Sequence, residues 1–261
     1  MRNPMFFLSL FTRPFRLIGL LVTIGLVGGG YWAWQKLHSS TPFSQEQALA
    51  AFRAEAQAPT AAARIPRPGV YTYRVTGSEK ATAGPLAVDR KLPSRAQMIV
   101  RRVPGGFETE LHLSEEHLET FRYRVNASGT YATDTRTKLT FLRFGRDDRR
   151  RLQPAPLDLP ASLPVGRSWR SVYKAGDLLV RVSSKVKRSE NVSVGSRTFS
   201  TSVVSIRSDT SGAHPGHRIE TVWWSPQLAL PVRQRFDLDI GGIVGLKATA
   251  TLQLLSARPR T

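Results

Sequence analysis

From Val70 to Ala257 apolar or aromatic residues alternate with charged or hydroxyl ones. Tyr71 to Gly77, Arg95 to Val103, Gly106 to Leu113, His117 to Val125 and Thr130 to Phe144 follow one another, separated by breaks such as Pro104-Gly105 and Asn126-Ala127-Ser128-Gly129. Ser168 to Lys174, Asp177 to Arg188, Glu190 to Ser208, Gly216 to Ser225, Ala229 to Ile240 and Gly245 to Ala257 repeat the habit. A period of two gives each strand one dry and one wet face, which points to antiparallel pairing. Roughly eleven such strands cannot stay flat, so the expected fold is all-β: a strongly curved antiparallel sheet or open half-barrel, with a two-sheet sandwich as the alternative. Gln153 to Gly166, rich in proline, reads as an extended crossing between the halves.

The N-terminal part follows another pattern. Leu17 to Trp34 are 18 consecutive uncharged residues. As a helix they would span about 27 Å, close to the hydrocarbon thickness of a bilayer. Tyr31, Trp32 and Trp34 gather at one end, and Arg2, Arg13 and Arg16 precede the run with no acid among them, so the N-terminus is expected to stay cytoplasmic. The run exceeds a signal-peptide core and no small-x-small site follows it, which favours an uncleaved anchor. Residues 43–58 read as a short helix opened by a Ser44/Gln47 capping box and stopped by Pro59. The expected division is a cytoplasmic segment (1–16), a transmembrane anchor (17–36), a helical stalk with a Pro-rich linker (37–69) and an extracytoplasmic β-domain (70–257).

Composition narrows the chemistry. The 261 residues contain no cysteine, which excludes disulfides, a thiol nucleophile and cysteine metal sites. Lys and Arg number 38 against 19 acids, a net charge of +19. Removing the seven cations and two acids of the first 69 residues leaves the β-domain with 31 against 17. Arg143, Arg146, Arg149, Arg150, Arg151, Lys185, Lys187 and Arg188 form the densest runs and are the expected contacts to an anionic surface. Anionic lipid or wall polymer suits an outward-facing domain better than nucleic acid, for which no aromatic-rich recognition motif is present.

Pro68-Gly69-Val70-Tyr71-Thr72-Tyr73 with Thr76-Gly77-Ser78-Glu79, the central Val165-Gly166-Arg167-Ser168-Trp169, and Trp223-Trp224-Ser225-Pro226 with Leu230-Pro231-Val232-Arg233 carry a resemblance. The chain resembles a group of membrane-anchored or secreted all-β domains of unknown function from high-GC Gram-positive bacteria. These are distantly similar to lipoprotein carriers of the cell envelope. The resemblance implies an envelope location and a curved sheet around an apolar ligand, and it brings no catalytic residues.

No convergent acid, base or nucleophile stands out. His214, His217 and Glu220 straddle a Pro-Gly turn, unlike the helical spacing of a zinc site. Glu108 and Glu110 share a wet strand face, where pairing with Arg122 and Arg124 on a neighbouring strand is expected. Gly241-Gly242 and Gly245 sit between strands and read as a turn rather than a phosphate cradle. The expectation is therefore a non-enzymatic domain with no cofactor and no metal, binding an apolar or lipid-like envelope ligand. Trp169, Trp223 and Trp224 are the candidate ligand-lining residues. The alternative is a structural or interaction subunit of an envelope complex.

Overall fold

The computed structural model describes residues 40–53, 65–84, 86–141, 144–242 and 244–261. The expected anchor falls outside these residues, and no described helix is long and apolar enough to cross a membrane.

Fourteen described strands follow one helix. They are β1 (Gly69–Ala83), β2 (Leu86–Lys91), β3 (Arg95–Val103), β4 (Gly106–His112), β5 (His117–Asn126), β6 (Gly129–Phe141) and β7 (Phe144–Gln153), then β8 (Leu157–Pro160), β9 (Ser168–Ala175), β10 (Leu178–Val194), β11 (Arg197–Ser211), β12 (Gly216–Ser225), β13 (Leu230–Ile240) and β14 (Val244–Leu254). Neighbours pair antiparallel in the order β14-β13-β12-β11-β10-β9-β7-β6-β5-β4-β3-β1, and β14 pairs back onto β1 from Tyr73↔Leu254 to Ala83↔Val244. The sheet is therefore a closed barrel of twelve strands rather than the open half-barrel expected. Closure removes the two long edges that an open sheet would leave unpaired. Gly77 permits the close approach at the joint. Its φ is +147°, and a Cβ there would lie 2.0 Å from the Thr249 carbonyl oxygen. β2 extends the line of β3 along β1, and β8 pairs with β6.

The register assigns the faces. Tyr71, Tyr73 and Val75 of β1 share a side with Met98 and Val100, with Phe236 and Leu238, and with Ala248, Ala250, Leu252 and Leu254, all buried in one apolar cluster. Outward positions of β13 and β14 are Arg235, Asp237, Asp239, Lys247, Thr249 and Thr251. On this side the wall is charged outside and apolar inside, the reverse of a membrane-spanning barrel. The distal half of the β10–β11 hairpin reaches the neighbouring strands: Gln253 Nε2 donates to the Ser193 carbonyl (3.1 Å), and Val192, Val194 and Phe199 join the main cluster.

The helix, α1 (Gln45–Arg53), forms where the sequence places it. Ser44 N–H donates to Gln47 Oε1 (2.6 Å) and Gln47 N–H to Ser44 Oγ (3.1 Å), the reciprocal capping box. It lies on the outside of the wall, with Ala48 and Phe52 buried against Val70 and Ile99. Phe43 stacks on His112 at 3.6 Å. The segment expected as a stalk is thus docked on β1 and β3. Burying Phe52 contributes about 2 kcal/mol to that docking.

Candidate functional site

Eight strands give a barrel just wide enough for side chains to fill, whereas twelve leave room beyond them. The filling here is uneven. On the side of β1, β3, β13 and β14 the inward residues are almost wholly buried. Around β5, β6 and β9 to β12 burial is mixed: Ala132, Val180, Ser184 and Val204 are buried, whereas Phe121, Tyr123, Thr135, Thr137, Trp169, Ser171, Tyr173, Val182, Ile206, Ser208 and Val222 keep part of their surface open. Their cross-strand partners fix them as inward, Trp169 opposite Ser184, Tyr173 opposite Val180, and Ile206 opposite Glu220. Tyr123 faces inward opposite Phe107 and Ala132 and, like Asp158, keeps part of its surface open.

A band of charge crosses this lumen. Glu79 of β1 bonds Arg90 of β2 and accepts from His117 Nδ1 (2.7 Å). His117 Nε2 lies 3.6 Å from Glu119, which receives both 3.2 Å bonds from Arg218 Nη1. Arg218 Nε donates to Glu220 (3.0 Å), and Gln234 Nε2 donates to the same carboxylate. Arg218 also sits 4.4 Å over the Phe236 ring. Burial favours a neutral His117, but hydrogen bonds and charge from Glu119 and Glu79 outweigh it and lift the imidazole to about 9. Burial likewise raises Glu119, and the attraction of Arg218 and His117 more than reverses this, holding it at about 2. The band is therefore ionised and mutually compensated at neutral pH.

Asp158 is the exception. It projects from β8 into the lumen, where burial and then the like charge of Glu220 push its carboxyl up to about 7. The phenols of Tyr123 and Tyr173 are raised by burial and then by Asp158 itself, Tyr173 to about 12. Aromatic rings continue the lining, Phe107 on Tyr123 at 4.8 Å and Phe121 on Tyr123 at 6.1 Å. The indole Nε1 of Trp169 has no hydrogen-bond partner. The lumen thus offers an aromatic and aliphatic wall, a compensated charged band and one carboxyl poised near neutrality.

The wall is thinnest beside β8. β10 and β11 share fifteen residue pairs, whereas β7 and β9 share two, Leu152↔Ala175 and Gln153↔Lys174. Beyond them β8 faces β9 across a side-chain bond, Ser171 Oγ to the Leu157 carbonyl (3.3 Å).

The three candidate tryptophans separate. Trp169 lines the lumen. Trp223 lies on the opposite face with Arg233 5.2 Å over its ring, and Trp224 follows a bulge that breaks the β12–β13 register between the two. The basic candidates separate as well. The side chains of Arg143 and Arg146 lie outside the described residues. Arg149 and Arg151 are exposed. Arg150 bonds Asp177 and the Ala175 carbonyl, both at 2.7 Å, and Arg188 pairs with Glu190 (2.7 Å). Lys185 and Lys187 line an outer hollow described below. Glu108 meets Arg122 (3.1 Å) as expected, while Glu110 meets Arg101 (2.9 Å) instead of Arg124. Among the described residues no three His, Asp or Glu side chains are grouped to hold a metal.

Sequence reasoning missed Glu79, Arg90, Asp158, Arg218 and Glu220. Arg218 and Glu220 take the inward positions of β12, while Ile219 between them is 44% exposed. The available signal was Val222, which shares the phase of Arg218 and Glu220.

No protein family and no curated protein matches the chain. Among solved structures it is similar to a hypothetical lipoprotein, YmcC, from Escherichia coli K12, at 9% identity and a TM-score of 0.33, over 80% of this chain and 97% of that one.

Proposed function

We propose that the barrel is a non-enzymatic binding domain whose lumen holds one amphipathic, lipid-like molecule. The carrying observation is the run of half-open inward side chains from Phe121 through Trp169 and Tyr173 to Ile206 and Val222, inside a ring that is otherwise closed. An apolar tail would lie along the aromatic and aliphatic wall, and its polar end would meet Asp158 and the Arg218 band. Ligand sites of this kind are mostly apolar with a few placed polar groups. The compensated band supports binding better than catalysis, because its carboxylates are tied to Arg90, His117 and Arg218 rather than aimed at an open position. The short β7–β9 pairing is the proposed route of access.

The uncharged run from Leu17 to Trp34 supports a single-span anchor with the barrel on the extracytoplasmic side. There it would draw its ligand from the envelope.

Native mass spectrometry of the full chain, released in the gas phase from non-ionic detergent micelles, tests the lumen reading. Retention of a single lipid mass that Ser208→Trp abolishes supports it, since Ser208 faces the lumen on β11. A clean protein mass, or a lipid retained equally by the variant, points instead to a structural subunit.

A further inference from the structure

The outer face of β9, β10 and β11 carries a second feature, independent of the lumen. Two cross-strand rows lie side by side: Arg170↔Ser183↔Arg207, and next to it Ser168↔Lys185↔Ser205. Cations and hydroxyls therefore alternate in both directions, like a chequerboard. Directly opposed side chains in such rows stand about 5 Å apart, so each hydroxyl has cations on two or more sides. Lys187, beside the bulge between Val186 and Arg188, adds a fourth cation at one end. These residues, with Trp169 and Ser184 between them, line an open surface hollow of about 240 Å³.

The charge is unbalanced. Arg207 is held by Asp209 through bonds of 3.0 and 2.9 Å. Arg170, Lys185 and Lys187 form no ion pair among the described residues, and no carboxylate lines the hollow. By contrast, Arg136 is matched by Asp147, Arg188 by Glu190 and Lys247 by Asp239. No two cations stand directly opposite each other, but with Arg207 alone ion-paired the array adds little to the stability of the sheet. It does suit a ligand. Guanidinium and ammonium groups give charge-assisted bonds to an oxyanion, and serine hydroxyls fill its remaining acceptor positions. The array spans three strands, about 10 Å, the size of one or two phosphates rather than a polymer track.

We infer that this hollow is a binding site for a phosphate group, held by Arg170, Lys185, Lys187 and Arg207 with Ser168, Ser183 and Ser205. The phosphate comes either from a lipid headgroup or from a soluble phosphate ester. A membrane-tethered barrel that used the headgroup would rest this face on the bilayer.

The test uses the full chain in non-ionic micelles, titrated with inorganic phosphate and, separately, with phosphatidylglycerol incorporated into the micelle. The pocket variant is Arg170→Gln/Lys185→Gln/Lys187→Gln. The charge-matched control, Arg74→Gln/Arg95→Gln/Arg235→Gln, removes three exposed cations from other strands. Saturable binding that weakens by about tenfold or more in the pocket variant, and by less than about twofold in the control, is expected. A response to inorganic phosphate identifies a soluble ester as the source, and a response to phosphatidylglycerol alone identifies the headgroup. Failure of both titrations to saturate overturns the inference. Equal losses in the two variants overturn it too, because binding would then follow net charge and not the array. Circular dichroism of both variants separates loss of binding from loss of fold.

Discussion

Asp158→Asn should make the barrel more stable at neutral pH, the opposite of what removing a paired carboxylate does. The ordinary aspartate value is 3.8, and the folded value stands at about 7. Because the folded group holds its proton more tightly than the unfolded one, its ionisation opposes folding. The penalty is absent below pH 3.8, grows between 3.8 and about 7, and is fully present above that. That difference alone sets a ceiling of about 4 kcal/mol. Asp158 is only half-buried, and solvent screening reduces the expected gain to about 1–2 kcal/mol at pH 8. At pH 4 the native carboxyl is already neutral and the variant should match the wild type within about 0.5 kcal/mol. Urea unfolding of residues 40–261, followed by tryptophan fluorescence at both pH values, reads the difference as a shift in midpoint at constant slope. A variant that is less stable at pH 8 would refute the reasoning by revealing a cationic partner, and one equally shifted at both pH values would refute it by showing an effect independent of ionisation.

Other consequences are open to direct measurement. The His117–Glu119–Arg218 linkage has two edges: the Glu119 contribution is present above pH 4.5 and lost as pH falls through about 2, while that of His117 is present below pH 6.5 and lost as pH rises through about 9. His117→Gln should therefore flatten the alkaline fall in stability between pH 6.5 and 9, and an unchanged alkaline limb would show that His117 is neutral. Gln153→Cys paired with Lys174→Cys places a disulfide across the two-pair contact of β7 and β9; its oxidation should slow exchange of lumen-bound lipid several-fold, with recovery on reduction. An unchanged rate would move the passage to a barrel end. Phe52→Ala should cost about 3 kcal/mol where α1 meets Val70 and Ile99 and speed amide exchange across Gln45–Arg53, whereas a variant with wild-type exchange would mean that the helix docks without it.

Local signals were legible in the sequence and long-range ones were not. The Ser44/Gln47 capping box, the turns and most strands follow from residue type at fixed spacing, and each was readable. Closure depends on β1 meeting β14, about 170 positions along the chain, and nothing in either strand alone announces the partner. The division of Glu108 to Arg122 was visible because both are wet-face residues on adjacent strands. The lumen band was hidden for the converse reason. Arg218, Glu119 and Glu220 occupy inward positions, where periodicity expects apolar residues, and only their mutual pairing makes that placement tolerable. Asp158 was hidden by its setting, a proline-flanked strand of four residues read as a crossing segment.

The claim that the barrel is hollow can be tested in the absence of any ligand, because the chain contains no cysteine. Ser171→Cys and Ser208→Cys place thiols at half-open inward positions, Thr221→Cys places one on the outer face, and Val204→Cys places one at a fully buried inward position. Each is exposed in turn to a small methanethiosulfonate reagent under native conditions. The account predicts that the two lumen thiols react nearly as fast as the outer one while the Val204→Cys thiol stays inert. Lumen thiols as inert as that at position 204 would mean a barrel packed shut, and the binding function would fall with it.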